Sequence, residues 1–139
     1  MKTYKGSISE LKENQIFVFG SNTQGRHGKG TALMAREKFG AKYGQASGLQ
    51  GQSWGMITTD LTKSYRPSVL KSKVILEINK LYEYASQNTE LEFLVAYTGL
   101  NNRNLSGFTN QEFADMFSYF TIPDNIIFEE QFSTLLKRK

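Results

Sequence analysis

A short apolar run, Gln15-Ile16-Phe17-Val18-Phe19, stops at Gly20, and nine of the chain's twelve glycines lie between there and Gly55. Glycine gathers where the backbone needs a left-handed conformation or must approach something closely. The run has the length and content of a buried strand. A fold for this chain must therefore set a buried strand directly against a long glycine-dependent stretch. Two of the remaining glycines, Gly99 and Gly107, bracket a polar loop, which makes a second region of the same kind.

Around these regions strand and helix signals alternate. Residues 31–39 read as a short helix with Ala32, Ala35 and Phe39 on one face, stopped at Gly40. Ser53 to Thr59 reads as a strand with Trp54, Met56 and Ile57 as core. From Ser68 to Ser86 apolar residues recur at Leu70, Val74, Ile78, Leu81 and Ala85, the spacing of an amphipathic helix. Leu91 to Tyr97 is a second buried strand. Thr109-Asn110-Gln111-Glu112 has the form of a capping box opening a helix through Phe113, Met116 and Phe117. Pro123-Asp124 turns into a last strand at Asn125–Phe128, followed by a terminal helix over Glu129 to Lys137. Strands separated by helices imply a layered α/β sheet, whose ligands bind beyond the carboxyl ends of the strands.

Composition narrows the chemistry. The 139 residues suit one domain spanning 1–139, with 39% apolar and 22% charged residues. The absence of cysteine excludes disulfides, thiolate nucleophiles and cysteine-bound metals, and a single histidine excludes a multi-histidine site. No metal and no cofactor are therefore expected. The net charge is +4, but Lys137, Arg138 and Lys139 supply three of those charges and leave the body at +1. A nucleic-acid binder normally carries a basic face, so nucleic acid is not the expected partner. No apolar run is long enough to span a membrane, and the first ten residues lack a signal-peptide core. The expectation is a cytoplasmic protein without a membrane partner.

The stretch from Gly20 to Thr31 (Gly-Ser-Asn-Thr-Gln-Gly-Arg-His-Gly-Lys-Gly-Thr) joins the first strand to a helix. A glycine-rich turn feeding a helix N-terminus offers free N–H groups and a positive dipole end, which favours phosphate; glycines serving only the loop's own turns are the alternative. It is not a P-loop, because Arg26 and His27 stand where Lys and Ser or Thr are required after Gly25, and Gly25, Gly28 and Gly30 do not make the dinucleotide pattern. The second region, from Tyr97 to Thr109, has the same strand–loop–helix logic. Asn22 offers an amide that both donates and accepts, and that can stabilise its own turn. His27 is the one side chain that ordinarily titrates near neutrality, and so is the natural proton carrier if there is one. Arg26 and Lys29 suit phosphate or solvent. Phe108, just before a helix, suits the core. Thr58, Thr59 and Asp60 end a strand and border a cleft, with Asp60 a second candidate for orienting water.

The order of these features resembles the macro domains, which bind ADP-ribose and related metabolites. Gly6-Ser7-Ile8-Ser9 is similar to the family's first turn, and Phe17-Val18-Phe19-Gly20-Ser21-Asn22 to its first strand and asparagine. Residues 25–35 are similar to its glycine loop and small-residue helix, and Leu105-Ser106-Gly107-Phe108 to the end of its second loop. The run from Ile16 to Gly51 more closely resembles a divergent bacterial and phage branch described as ADP-ribose 1″-phosphate phosphatases. Ser7 stands where most macro domains have an aspartate, and Asn101 to Asn104 are extra polar residues in the second loop.

The resemblance implies a three-layer α/β/α domain with a mixed central sheet and a ligand of the ADP-ribose class. It also implies metal-independent phosphatase or hydrolase activity, with Asn22 fixing the distal ribose; Asn22 and, by its own chemistry, His27 are the catalytic candidates. The binding residues it implies are Gly20, Ser21, Asn22, Gly25, Arg26, Gly28, Lys29, Gly30 and Thr31 in the first loop. In the second they are Thr98, Gly99, Leu100, Ser106, Gly107 and Phe108. An ADP-ribosylated macromolecule is the alternative substrate, and a non-catalytic reader of ADP-ribose the alternative role.

Overall fold

The computed structural model describes residues 2–97 and 106–137. Its strands are β1 (Thr3–Tyr4), β2 (Gln15–Asn22), β3 (Gly48–Gln50), β4 (Ser53–Thr59), β5 (Glu92–Val95) and β6 (Ile126–Glu129). Its helices are α1 (Gly30–Lys38), α2 (Lys71–Gln87), α3 (Asn110–Phe117) and α4 (Glu130–Ser133). The six strands form one sheet in the order β1-β6-β5-β2-β4-β3. Neighbours run parallel except β3, which pairs antiparallel with β4, so the sheet is mixed as expected.

Side-chain alternation along the strands divides the core in two. Ile16, Val18, Phe93, Val95, Ile126 and Phe128 face α2, α3 and α4. Phe17, Phe19, Leu94 and Ile127 face the other way, onto Ala32, Ala35 and Phe39 of α1 and its C-cap. Each strand buried on both faces reads as an unbroken apolar run, which is why β2 and β5 are legible without alternation. Helices on both faces make the three layers.

From β2 the chain passes to β4 by way of α1, and from β5 to β6 by way of α3, so neighbouring strands β2 and β5 send their connections in opposite directions. A crevice opens at such a reversal, beyond the carboxyl ends of the strands. One extra residue, Thr58, sits in β4 where Ser21 pairs with Ile57 and Asn22 with Thr59. This bulge bends the strand end at the crevice.

Several boundaries differ from the sequence reading. The first strand runs on through Gly20, Ser21 and Asn22. The long helix starts at Lys71, because Asp60 N–H donates to Ser68 Oγ (2.8 Å) and residues 68–70 stay outside it. Leu70 is accordingly 73% exposed rather than on the buried stripe. Ile57 is only half-buried, its N–H donating to Glu77 Oε1 (2.8 Å) where β3 has ended. The terminal helix shrinks to four residues, with Glu129 inside β6 and capping α4. The short strands β1 and β3 carry too little pattern to be seen in sequence.

Candidate functional site

A cavity of about 620 Å³ lies at the reversal point between β2 and β5, within the usual range for a small-molecule site. Its walls come from the ends of β2, β4 and β5, the first turn of α1, and the inner faces of α3 and α4. Of the first-loop residues expected to bind, Gly20, Ser21, Asn22, Arg26, Gly28, Lys29, Gly30 and Thr31 all line it. From the second loop Ser106 lines it as well. Thr98, Gly99 and Leu100 lie outside the described residues.

At one end is the N-terminus of α1. Its N-cap position is Lys29, which supplies no capping hydrogen bond, and its first turn contains no acidic residue. The opening N–H groups of a helix have no partner within it and carry the positive end of the dipole. Beside them Ser21 is 2% exposed, and its Oγ has no hydrogen-bond partner among the described residues. Arg26, Lys29 and Arg66 all line this cavity, and none pairs with a carboxylate among the described residues. Gly28 is not left-handed, and a Cβ there would meet nothing within 4 Å. Neither conformation nor packing asks for glycine at that position, which faces the open cavity.

Asn22 is fastened at this wall. Its Nδ2 donates to Arg26 O (2.6 Å) and its Oδ1 accepts from Arg26 N–H (2.8 Å). The amide therefore closes the loop, the turn-stabilising role, and keeps one N–H and one lone pair to spare.

Four expected residues are placed elsewhere. His27 is 0% exposed and is not part of the cavity wall. Its Nε2 faces Gln45 O (3.0 Å) and Gln50 Oε1 (3.2 Å), and its ring meets Phe19 edge-on at 5.1 Å. Gln50 Oε1 also accepts from Lys42 N–H (2.8 Å), so both neighbours of Nε2 are acceptors and that nitrogen carries the proton. His27 is a core residue pinning the 42–50 segment, and a proton-transfer role at the cavity is not compatible with that setting. Gly25 is left-handed (φ 67°), and a Cβ there would lie 2.5 Å from the Gly44 carbonyl carbon. Its glycine serves chain packing, where Gly44 N–H donates to Gly25 O (2.8 Å). Gly107 packs against Arg66 so closely that a Cβ added to it would lie 2.6 Å from the Arg66 Cβ. Phe108 is buried in the core against Phe113 (5.5 Å).

Asp60 does not line the cavity either. Its Oδ1 accepts from Thr62 Oγ1 (2.6 Å) and N–H (3.0 Å), Thr23 Oγ1 (3.2 Å) and Gln24 Nε2 (3.3 Å). These bonds, the Thr62 hydroxyl foremost, hold its carboxyl down to about 2. It ties the ends of β2 and β4 together rather than orienting water.

The other end of the cavity was missed by sequence reasoning. Val95, Phe113, Phe117 and Phe132 give it an apolar wall, and Tyr97 and Glu129 stand among them. Burial, then the Glu129 carboxylate, raise the Tyr97 phenol above its ordinary range. A signal for Glu129 existed: an acidic residue at the carboxyl end of a strand. Reading it as the start of a helix hid it. Arg66 carried no local signal at all.

These features define an α/β protein with a cavity at the carboxyl edge of its sheet, cationic at one end and largely apolar at the other. No family model, no curated protein and no solved structure matches the chain. Among the described residues no helix is long and apolar enough to cross a membrane, and no cluster of three metal-ligating side chains occurs.

Proposed function

We propose that the chain binds a diphosphate-bearing nucleotide of the ADP-ribose class, with its diphosphate over the first turn of α1. The observation that carries this reading is the uncapped turn opening onto the cavity through Gly28, a glycine with no reason of its own to be one. Arg26, Lys29 and Arg66 add cationic charge there without carboxylate partners among the described residues, and Asn22 is already held rigid for a ribose hydroxyl. Pre-arranged donors of this kind bind an anion without paying for reorganisation. The ligand class is taken from the resemblance of the run from Ile16 to Gly51 to the macro-domain branch.

Binding without turnover is the role the geometry favours over phosphatase action. With His27 buried away from the cavity, no described residue at the anion end is a carboxylate or imidazole. Any hydrolysis would depend on positioning and main-chain dipoles alone. Calorimetry with ADP-ribose and with ADP, run beside phosphate release from ADP-ribose 1″-phosphate, tests both parts. The expected result is saturable binding with no phosphate released. Failure of both nucleotides to bind removes the ligand class, and phosphate release that survives His27→Gln makes the protein a hydrolase of the positioning type.

A further inference from the structure

Glu129 is a carboxylate in the wrong company for one. It is 5% exposed, lines the apolar end of the cavity, and among the described residues lies within ion-pair distance of no Lys, Arg or His. Burying a carboxylate unpaired is costly unless hydrogen bonds replace its water. One oxygen is provided for: Oε1 accepts from Gln131 N–H (2.6 Å) and Phe132 N–H (3.0 Å) at the start of α4. Oε2 has no such donor among the described residues. Nearby, the hydroxyl of Tyr97 is buried and has no hydrogen-bond partner among the described residues. A well-packed interior leaves few polar groups in this state, and each asks for a reason.

We propose that Glu129 Oε2 accepts a hydrogen bond from an N–H donor on the ligand's planar ring, with the Tyr97 hydroxyl answering an acceptor beside it. Glu129 is thus the specificity-determining residue of the cavity's apolar end. This rests on the nucleotide reading above and gives the ligand a direction. The α1 end favours anions, while an unpaired carboxylate repels them. Glu129 ends β6 and Asn22 ends β2, two strand spacings apart, or about 10 Å across the sheet. One molecule with a phosphate end and a donor-bearing ring end satisfies both. A ring fits better than an aliphatic amine because the surroundings are Val95, Phe113, Phe117 and Phe132, which offer flat apolar contact and no second acceptor.

The test compares ADP with purine riboside 5′-diphosphate, which has the same phosphates and ring but no exocyclic amino group. Wild-type protein is expected to bind ADP about 10- to 100-fold more tightly, the usual effect of one hydrogen bond to a charged partner. Glu129→Gln keeps the shape and can still cap α4, yet presents an amide donor in place of Oε2. It is expected to lose most of that preference by weakening ADP alone, and Tyr97→Phe a smaller part of it. Equal binding of the two nucleotides by wild type overturns the inference, as does an unchanged preference in a folded Glu129→Gln. The wild-type comparison stands even if the variant does not fold. Binding of neither nucleotide brings down the nucleotide reading itself, and this inference with it; binding of both with equal strength removes only the role of Glu129.

Discussion

α1 and α3 each follow a strand and a glycine-bearing loop, yet only the first turn of α3 is closed by a cap. At α3 the Thr109 hydroxyl accepts from Glu112 N–H (3.0 Å), and the Glu112 carboxylate accepts from Thr109 N–H (3.0 Å). That N–H, with Lys71 beside it, holds the Glu112 carboxyl below the usual range. The loop before it is anchored by Phe108 in the core. At α1 the corresponding place belongs to Lys29, which supplies no capping hydrogen bond. A helix start that satisfies its own N–H groups has nothing left for a ligand; one left open does. The two loops thus differ in which helix is denied its cap.

The sharpest way to break this comparison uses two glycines three residues apart. Gly25→Val forces a branched side chain into a left-handed position against the Gly44 backbone, and should cost about 3 kcal/mol of stability in urea denaturation. Gly28→Val should leave stability within about 0.5 kcal/mol of wild type while ADP-ribose binding disappears from calorimetry. If Gly28→Val binds as wild type does, the open turn of α1 is not the anion site.

A gentler intervention exchanges the characters of the two helix starts. Lys29→Asp provides α1 with the cap it lacks, so stability should rise by about 1 kcal/mol while nucleotide affinity falls. Thr109→Ala should lower stability by about 1 kcal/mol and leave affinity at the wild-type level. Parallel losses of affinity in both variants would mean that the two turns are not functionally distinct.

The smallest effect concerns the strap that joins the ends of β2 and β4. Because hydrogen bonds lower the Asp60 carboxyl to about 2, its contribution to stability is complete above about pH 4 and is lost as the pH falls through about 2. Denaturation midpoints of Asp60→Asn should therefore vary less than those of wild type across that interval. Identical slopes would show that these bonds do not persist in solution.

Much of the scaffold could be read directly. β4 runs from Ser53 to Thr59 as expected, the capping box closes as written, and the first-loop residues around Gly28 do gather at one cavity. The glycine count was a blunter guide. Gly25, like Gly40 and Gly51, is a glycine because two stretches of main chain touch there, and Gly44 because its backbone is left-handed (φ 95°); composition does not separate those needs from a ligand's. His27 had the right chemistry and the wrong address: its ring turns into the core onto Gln50, a partner 23 residues away.

What the sequence alone determined is whatever depends on near neighbours: buried runs, helical spacing, caps, and a glycine loop between strand and helix. Each follows from local backbone geometry and from the period of apolar residues. Which polar groups meet across the cavity was decided only by the tertiary structure. Tyr97 follows β5, Glu129 ends β6, Arg66 comes from a loop and Ser21 from β2, and their shared cavity exists because the order of strands reverses between β2 and β5. Proximity among residues so far apart in the chain is set by how the sheet is assembled, and no short stretch of sequence contains it.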